Sequence, residues 1–336
     1  MIYGHGDDTY KYKEIRINFS SNIYNRFDHE KLFLHLAGRL DDVLSYPEPA
    51  PLTLETDLSK KLGLAPEEVM VTNGATEAIY LIAQTFRRSK SAILQPTFSE
   101  YADACVLHEH ELTNIYTLDT LSPDTQMLWL CSPNNPTGAV IEKESLLKFI
   151  RKNRELMIII DASYAPFTKK AVPAPRELAE YPNVLMLHSM SKQYSVPGLR
   201  LGYVTGGETL LAQVRRRRMP WSAGQVAVNA GRYLLMHSDE YTPPVDALTD
   251  ERERMADALR SLGVVEVWPS DTHMLLCKLR FGNASSLKEY LALEHGLLIR
   301  DASNFSGLDS SFFRIAVQTP DEDDILIRRI AEWIAV

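Results

Sequence analysis

Five short apolar runs alternate with helical patterns between about Leu52 and Gly206 of this chain. The runs are VMVT from Val69, SAILQ from Ser91, MLWLC from Met127, LMIII from Leu156 and VLMLH from Val184. Strands that are buried on both faces of a parallel sheet read as uninterrupted apolar runs of this kind. Their alternation with helices predicts an α/β fold, a three-layer large domain around a mostly parallel sheet.

The texture of the sequence changes after Ser222, where two long helical patterns precede two strand-like runs and a last helix near Ala335. The helical patterns cover 225–236 and 245–262, and the strand-like runs cover 264–268 and 273–278. We interpret this half as a smaller α+β domain. Little regular pattern is visible in the first 43 residues. The predicted division is therefore an arm that packs on the small domain and the active site (1–43), a large domain (44–224) and a small domain (225–336).

The composition narrows the function class. The chain has 336 residues, 45% of them hydrophobic and 24% charged, with a formal net charge of -8. This acidic, globular composition disfavours general binding of nucleic acid or anionic membranes. No apolar run approaches the roughly 20 residues that span a bilayer, and the first residues lack the apolar core of a signal peptide. We therefore expect a soluble, cytoplasmic protein.

Two further features of the sequence are weaker evidence for a functional site. Cys105, Cys131 and Cys277 are widely spaced, and they predict neither a disulfide framework nor a metal site. The run Arg215–Arg218 is interpreted as a solvated helix face rather than a phosphate-facing cluster, because four adjacent residues point all round a helix.

Polar clusters follow the predicted strands, at the edge where open α/β sheets bind ligands. The clusters are Asn73–Glu77, Ser132–Gly138, Asp161 with Tyr164, and the group Ser189, Ser191, Lys192 and Arg200. Taken alone, the first also fits an ordinary helix N-terminus and the second fits turn chemistry. Together they offer helix N–H groups for a phosphate, a carboxylate that needs a cation and an amine that leaves the core. These three groups suit pyridoxal 5'-phosphate, whose aldehyde a lysine closes as a Schiff base.

Seven motifs occur in order between Gly74 and Thr319, within a resemblance that covers nearly the whole chain, from Asn18 to the C-terminus. They are GATEAI, PTFSEY, SPNNPTG, DASY, SMSK, GLRLGY and FFRIAVQT. Together they resemble the motifs of the fold-type I pyridoxal-phosphate enzymes of the class I/II aminotransferase superfamily. Their joint order is specific, whereas each motif alone is not. The resemblance implies an aspartate-aminotransferase-like fold and a pyridoxal-phosphate-dependent enzyme.

The resemblance also implies roles around the cofactor ring. Lys192 would form the Schiff base and then act as general acid and base at the substrate's Cα. Asp161 would pair with the pyridine nitrogen and keep it protonated, so that the ring accepts the electrons left at Cα. Asn135 and Tyr164 would hydrogen-bond the phenolic oxygen, and Phe98 would stack on the ring.

A phosphate site, a substrate clamp and a partner subunit follow from the same resemblance. The residues expected at the cofactor phosphate are Gly74, Ala75, Thr76, Ser189, Ser191 and Arg200. Arg314 would clamp the substrate's α-carboxylate in a bidentate pair. Enzymes of this kind are commonly homodimers with shared active sites, and Tyr46 resembles the tyrosine that reaches the partner's cofactor phosphate. The alternative is a tyrosine that packs on its own chain.

Further residues resemble one branch of the superfamily, which contains histidinol-phosphate aminotransferase and threonine-phosphate decarboxylase. Arg300 matches the second arginine of enzymes that take phosphorylated substrates. His5-Gly6, Asn22 in the arm and the segment 220–222 tilt the resemblance towards the decarboxylase of the cobalamin pathway. After His5-Gly6 the chain reads Asp7-Asp8 where Gly-Asn is expected, which leaves the role of His5 open.

We therefore expect an enzyme that acts at Cα of a small phosphorylated amino-acid substrate. Decarboxylation of L-threonine O-3-phosphate is the first expectation, and amino transfer on histidinol phosphate or a similar amine is the alternative. A non-catalytic cofactor-binding sensor is a remote alternative, because such regulators carry a DNA-binding domain ahead of the fold and residues 1–43 show no helix-turn-helix pattern. Lys192, Asp161 and Arg314 would serve either reaction, since the rotation of the substrate decides which bond breaks.

Overall fold

A computed structural model describes residues 6–334 of the chain. The strands are β1 (Ile17–Asn18), β2 (Val69–Thr72), β3 (Lys90–Leu94), β4 (Glu111–Ile115), β5 (Met127–Cys131), β6 (Met157–Asp161), β7 (Val184–Ser189), β8 (Gly202–Gly206), β9 (Val265–Val267), β10 (Met274–Leu279), β11 (Leu297–Leu298), β12 (Arg300–Asp301) and β13 (Phe312–Ala316). The α-helices are α1 (Glu30–Ala37), α2 (Leu52–Leu62), α3 (Gly74–Thr85), α4 (Glu100–Leu107), α5 (Lys143–Lys152), α6 (Pro175–Ala179), α7 (Met190–Gln193), α8 (Glu208–Arg215), α9 (Gln225–Met236), α10 (Val245–Ser261), α11 (Ala284–His295) and α12 (Pro320–Ile334).

The large sheet has seven strands in the order β2-β8-β7-β6-β5-β3-β4. Its strand pairs are parallel except those of β8, which runs antiparallel to β2 and β7. Alternate residues of β6 face different helix layers: Ile158 and Ile160 pack with α5 and α6, while Ile159 packs with α3 and α4. The predicted three-layer, mostly parallel architecture is therefore confirmed.

All five predicted apolar runs form strands of this sheet, but two other strands were not predicted. β4 reads ELTNI and is largely exposed at the edge of the sheet, so it lacks the apolar run of a buried strand. β8 is buried but short, with glycine at both ends. Glycine is depleted in strands, and this composition gives β8 a weak strand signal.

The small sheet is antiparallel, with the order β12-β13-β10-β9, and α10, α11 and α12 pack beside it. Its strands β9 and β10 match the two predicted runs. Helix α9 instead packs against α1 and α2, in the cluster that contains the β2 residues Val69 and Val71. The predicted boundary at residue 225 stays a prediction, and α9, which follows it, contacts α1 of the arm and α2 of the large domain.

The arm has more structure than its sequence indicates. Strand β1 pairs with β11 in parallel, and the fully buried Phe19 accepts a backbone hydrogen bond of 2.9 Å from Ala316. Helix α1, which was not predicted, packs on α9. These contacts hold the arm against both parts of the chain.

Cys105, Cys131 and Cys277 are free thiols, and all three are buried. The expectation of no disulfide framework is therefore consistent with the structure. Within residues 6–334, helices that are both long enough and apolar enough to cross a membrane do not occur.

The arginine run at 215–218 is not a uniformly solvated face, which corrects the interpretation from the sequence. Arg215 and Arg218 turn inward and form ion pairs with Glu55, whose side chain is 1% exposed. They also donate to the backbone carbonyls of Val69 and Val71 on β2. The physical reason is the buried carboxylate of Glu55, which lies 160 residues from Arg215 in sequence and needs cationic partners.

Replacement of Glu55 tests this network. We expect Glu55→Ala to lower the free energy of unfolding by about 3 kcal/mol, because it leaves two inward-facing guanidiniums without their carboxylate. Denaturant unfolding measures the change. Asp257→Ala is the control, since it removes an exposed ion pair with Arg260 and should have little effect. Equal effects of the two substitutions would refute a structural role for the network.

Candidate active site

A cavity of about 240 Å³ lies beyond the carboxyl ends of β5, β6 and β7, between the large sheet, the small sheet and the arm. The predicted site residues that line it are Asn22, Ala75, Thr76, Phe98, Asn135, Asp161, Tyr164, Ser189, Ser191, Lys192, Arg200, Arg300 and Arg314. Gly74 lies behind this lining and Tyr46 lies outside the cavity. His5 falls outside the residues that the structure describes. The structure thus gathers residues that are up to 292 positions apart in sequence, from Asn22 to Arg314.

One end of the cavity is built from the first turn of α3. The side chain of the N-cap residue Asn73 makes no capping bond, so the N–H groups of Ala75 and Thr76 keep no partner from the helix. Glycines keep this turn accessible: a Cβ on Gly202 would lie 2.6 Å from the Ala75 nitrogen. Because the positive end of the helix dipole adds to these donors, the turn suits an anion.

Arg200 and two serines complete this end. A Cβ on Gly74, which has a φ of +75°, would lie 2.6 Å from an Arg200 guanidinium nitrogen. Glycine at 74 therefore leaves room for that guanidinium beside the helix terminus. Ser189 and Ser191 add hydroxyl groups where β7 ends and α7 begins. The arrangement matches the donor set of a phosphate site.

Asp161 brings a buried negative charge to the floor of the cavity. Its two carboxylate oxygens accept hydrogen bonds from the Tyr101 hydroxyl at 2.7 Å and from the Ser163 nitrogen at 2.9 Å. Burial, followed by the charge of Asp161, raises the pKa of Tyr101, which therefore stays protonated as a donor. Within the described part of the chain, no basic side chain forms an ion pair with Asp161. A ligand that carries a cation would supply the missing partner.

Lys192 follows β7 on the short helix α7, and it lines the same cavity. Burial lowers the pKa of its amine from 10.5 to about 8, and the charges of Arg314 and Arg200 act in the same direction. A substantial share of the amine is therefore neutral near pH 8, and the neutral amine is the form that attacks a carbonyl.

Tyr164, Asn135 and Phe98 line the wall between these groups. The Tyr164 hydroxyl accepts a hydrogen bond from the Asn22 side-chain amide, and burial raises the pKa of Tyr164 well above its usual value. Asn135 accepts a hydrogen bond from Arg314 at 2.5 Å. The ring of Phe98 meets Tyr101 edge-on, with centroids 5.8 Å apart. This wall offers polar groups and an aromatic side chain to a planar ligand.

The opposite end of the cavity contains two buried arginines on adjacent strands. Arg300 on β12 is the direct register partner of Arg314 on β13, so both side chains leave the same face of the small sheet. Burial and the charge of Arg314 lower the pKa of Arg300 to about 10. The Arg314 Nε is buried with no hydrogen-bond partner within the described residues. Two like charges held this close suit a ligand with anionic groups.

The arm closes this arginine end. Gly6 packs against Arg300, since a Cβ on Gly6 would lie 2.9 Å from the Arg300 Cδ. Asp7 lines the cavity and accepts a hydrogen bond from Asn18. The buried Asp8 is fixed by Lys288 of α11 at 2.7 and 2.9 Å. The arm is thereby tied to the small domain next to the arginine pair.

Several residues of the site were not predicted from the sequence: Asp7, Tyr101 and Ser163. A signal existed for Tyr101, which follows Phe98 by three residues at the start of α4 and shares its side of the first turn. Asp7 belongs to the arm, which has no strong periodicity. It follows Gly6, which packs against Arg300, and such long-range contacts leave no local pattern in the sequence.

The donor set agrees with pyridoxal 5'-phosphate on three points. An open helix terminus with Arg200 accommodates a phosphate, the unpaired Asp161 accommodates a ring cation, and Lys192 supplies an amine of lowered pKa. Clusters of three or more histidine, cysteine, aspartate or glutamate side chains that could hold a metal ion do not occur in residues 6–334.

Comparison with known proteins gives a consistent set of relatives. Residues 14–330 match the family model for aminotransferase class I and II. The chain is 28% identical to threonine-phosphate decarboxylase from Salmonella typhimurium, over 93% of this chain and 89% of that protein. It is also 28% identical to histidinol-phosphate aminotransferase from Caldanaerobacter subterraneus, over 86% of this chain and 84% of that protein.

A solved structure extends the similarity to the whole fold. The crystal structure of L-threonine-O-3-phosphate decarboxylase from Porphyromonas gingivalis matches with a TM-score of 0.93 and 34% identity. The match covers 95% of this chain and 100% of that chain. The fold predicted from the sequence is thereby confirmed.

Proposed function

The chain belongs to the aminotransferase class I and II family, and we propose on this premise that it decarboxylates a small phosphorylated amino acid such as L-threonine O-3-phosphate. The match to this family confirms three expectations from the motifs: the superfamily, an enzyme, and pyridoxal 5'-phosphate as its cofactor. The observation that carries the proposal is the buried pair Arg300 and Arg314, which faces the same cavity as Lys192. Two guanidiniums suit a substrate with two anionic ends, a carboxylate and a phosphate.

The cofactor would be held by groups at or just after the ends of five strands of the large sheet, β2, β3, β5, β6 and β7. Its phosphate would take the Ala75 and Thr76 N–H groups, the Ser189 and Ser191 hydroxyls and the Arg200 guanidinium. Asp161 would accept a hydrogen bond from the protonated pyridine nitrogen. Asn135 and Tyr164 would hold the phenolic oxygen, Phe98 would cover the ring, and Lys192 would form the covalent link to the aldehyde. When bound, the cofactor supplies a cationic ring that accepts the electron pair left at Cα when a bond there breaks.

The residues of this chain then position the substrate and move its proton. Arg300, with Asn22 from the arm, would hold the phosphate end of the substrate, and Arg314 would orient the carboxylate end. Holding both ends fixes the rotation about Cα and places the bond to the carboxylate for cleavage. After carbon dioxide leaves, Lys192 would deliver a proton to Cα. The 34% sequence identity to a decarboxylase of this substrate supports decarboxylation as the first choice over amino transfer.

Amino transfer on histidinol phosphate is the second candidate, supported by the 28% identity to an enzyme of that name. It would use the same residues with a different rotation of the substrate. Lys192 would then remove a proton from Cα rather than deliver one. Both substrates carry a phosphate, but histidinol phosphate has no carboxylate for the second guanidinium, so the arginine pair favours the first reaction.

We propose in addition that the protein is a homodimer in the cytoplasm. Tyr46 is 87% exposed, which is unusual for an aromatic side chain. Its ring lies 5.4 Å from that of Trp221, and other exposed apolar side chains are near in sequence to these two: Val43, Leu44, Leu52 and Met219. A second copy of the chain would cover this patch and receive Tyr46 at its cofactor phosphate. The free, buried cysteines fit a reducing compartment.

The reaction is tested with two substrates in parallel. With L-threonine O-3-phosphate we expect carbon dioxide and aminopropanol phosphate, and with histidinol phosphate plus 2-oxoglutarate we expect no glutamate.

Arg300→Met should raise the KM for the phosphorylated substrate at least about tenfold, because a charged hydrogen bond is lost. Arg280→Met is the control, since Arg280 forms an exposed ion pair with Glu266. Glutamate without carbon dioxide would promote the aminotransferase, and an unchanged KM in Arg300→Met would remove the argument from the arginine pair.

The dimer is tested by sedimentation and cofactor affinity. The holoenzyme should sediment as a dimer, and Tyr46→Ala should weaken the affinity for pyridoxal 5'-phosphate about fivefold through one lost hydrogen bond. Tyr10→Ala is the control, because Tyr10 is also strongly exposed, at 82%, but lies in the arm. A fully active monomer, or equal effects of the two substitutions, would exclude the proposed role of Tyr46.

A further inference from the structure

His273 is a buried histidine at the start of strand β10, and its ring is held in one tautomer. It is 1% exposed, and its Nε2 lies 3.2 Å from the backbone carbonyl oxygen of Asn22. A carbonyl oxygen only accepts hydrogen bonds, so Nε2 carries the hydrogen. Burial lowers the pKa of His273 to about 3, with further contributions from the charges of Arg314 and Lys192, so the ring is neutral. Nδ1 is therefore a bare acceptor.

Burial of this ring with one unsatisfied nitrogen costs free energy, which indicates that its single hydrogen bond has a role. Nδ1 is buried with no hydrogen-bond partner in the described part of the chain. The ring also packs on Phe167, with centroids 4.3 Å apart. An apolar side chain would make the packing contact without burying an unsatisfied acceptor. What histidine adds at this position is the Nε2–H donor to Asn22.

Asn22 passes this constraint to the candidate active site. Its backbone carbonyl is held by His273, and its side-chain amide donates to the hydroxyl oxygen of Tyr164. Asn22 is 6% exposed, so solvent does not compete freely for either group. Because the amide of Asn22 occupies an acceptor position on the Tyr164 oxygen, the hydroxyl hydrogen of Tyr164 is left to point elsewhere. Tyr164 lines the cavity.

We propose that His273 is a positioning residue, which fixes Asn22 so that Tyr164 presents its hydroxyl hydrogen to the phenolic oxygen of the cofactor. The inference rests on the cofactor site described under the proposed function and adds a role for a strand of the small domain. The chain of contacts runs from β10 through the arm to the loop after β6. Asn22 was expected to contact the substrate. Its side-chain amide donates to Tyr164 as well, which gives Asn22 a second role.

Two replacements of His273 separate its hydrogen bond from its bulk. His273→Leu removes the donor, whereas His273→Gln retains an amide donor near the place of Nε2. The matched control is His110→Leu: His110 is also buried, contacts the Ala83 carbonyl through Nε2 at 2.9 Å and contacts the Ser91 hydroxyl through Nδ1 at 2.7 Å. His110 is outside the cavity lining. It therefore reports the effect of a lost buried histidine alone.

The measurements are the Kd of the apo-protein for pyridoxal 5'-phosphate and the pH at which the absorption band of the bound cofactor changes. We expect His273→Leu to raise the Kd about fivefold, the effect of one hydrogen bond. The pH of the absorption change should rise, because a donor to the phenolic oxygen withdraws electron density and makes the neighbouring nitrogen less basic. His273→Gln should restore both values, and His110→Leu should change neither.

Unchanged values in His273→Leu, or the same changes in His110→Leu, would overturn the proposal. If His273→Leu does not fold, Asn22→Ser takes its place, since it removes the amide that donates to Tyr164; unchanged values there would also overturn it. The absorption band of the wild-type protein distinguishes failure of the proposed function from failure of the role of His273. Absence of a cofactor absorption band would reject the proposed function itself, whereas a normal band with unaffected variants would reject only the role of His273.

Discussion

Buried charge of opposite sign at two ends of one cavity is the constraint that governs the other features of the site. Asp161 lacks a cationic partner within the described residues, and Arg300 and Arg314 lie side by side on neighbouring strands. Burying a carboxylate without a cation, or two guanidiniums side by side, is costly, and such an arrangement persists in a fold only where the surroundings enforce it. A ligand that is cationic near Asp161 and anionic near the arginines balances both sides at once.

The two sheets and the arm keep these charges apart. Asp161 ends β6 and Lys192 follows β7 on α7, and backbone pairing on both sides fixes the ends of these two strands of the large sheet. The arginines belong to the small sheet. Asp271 joins the two: its nitrogen donates to the Gly138 carbonyl at 3.0 Å, and its carboxylate accepts from the Val140 nitrogen at 2.9 Å. The loop that carries Asn135 is thereby tied to the small domain.

The sequence predicts the parts of this structure that have local signals. Buried strands show as apolar runs, and polar residues directly after them mark the ligand edge, which is how Asp161 and Lys192 are found. The edge strand β4 is missed because its residues are polar and exposed. The arginine run at 215–218 is misread because its partner Glu55 is remote in sequence. His273 is missed for the same reason, since its hydrogen bond joins residues 251 positions apart.

The proposed covalent link between the amine of Lys192 and pyridoxal 5'-phosphate can be tested directly. The direct measurement is borohydride reduction of the loaded protein followed by peptide mapping. The account predicts one stable adduct, on Lys192, and none in Lys192→Ala. Capture of the cofactor by the apo-protein should become faster as the pH rises through about 8, where the amine loses its proton. An adduct of equal yield in Lys192→Ala, or one that maps to another lysine, would contradict the account.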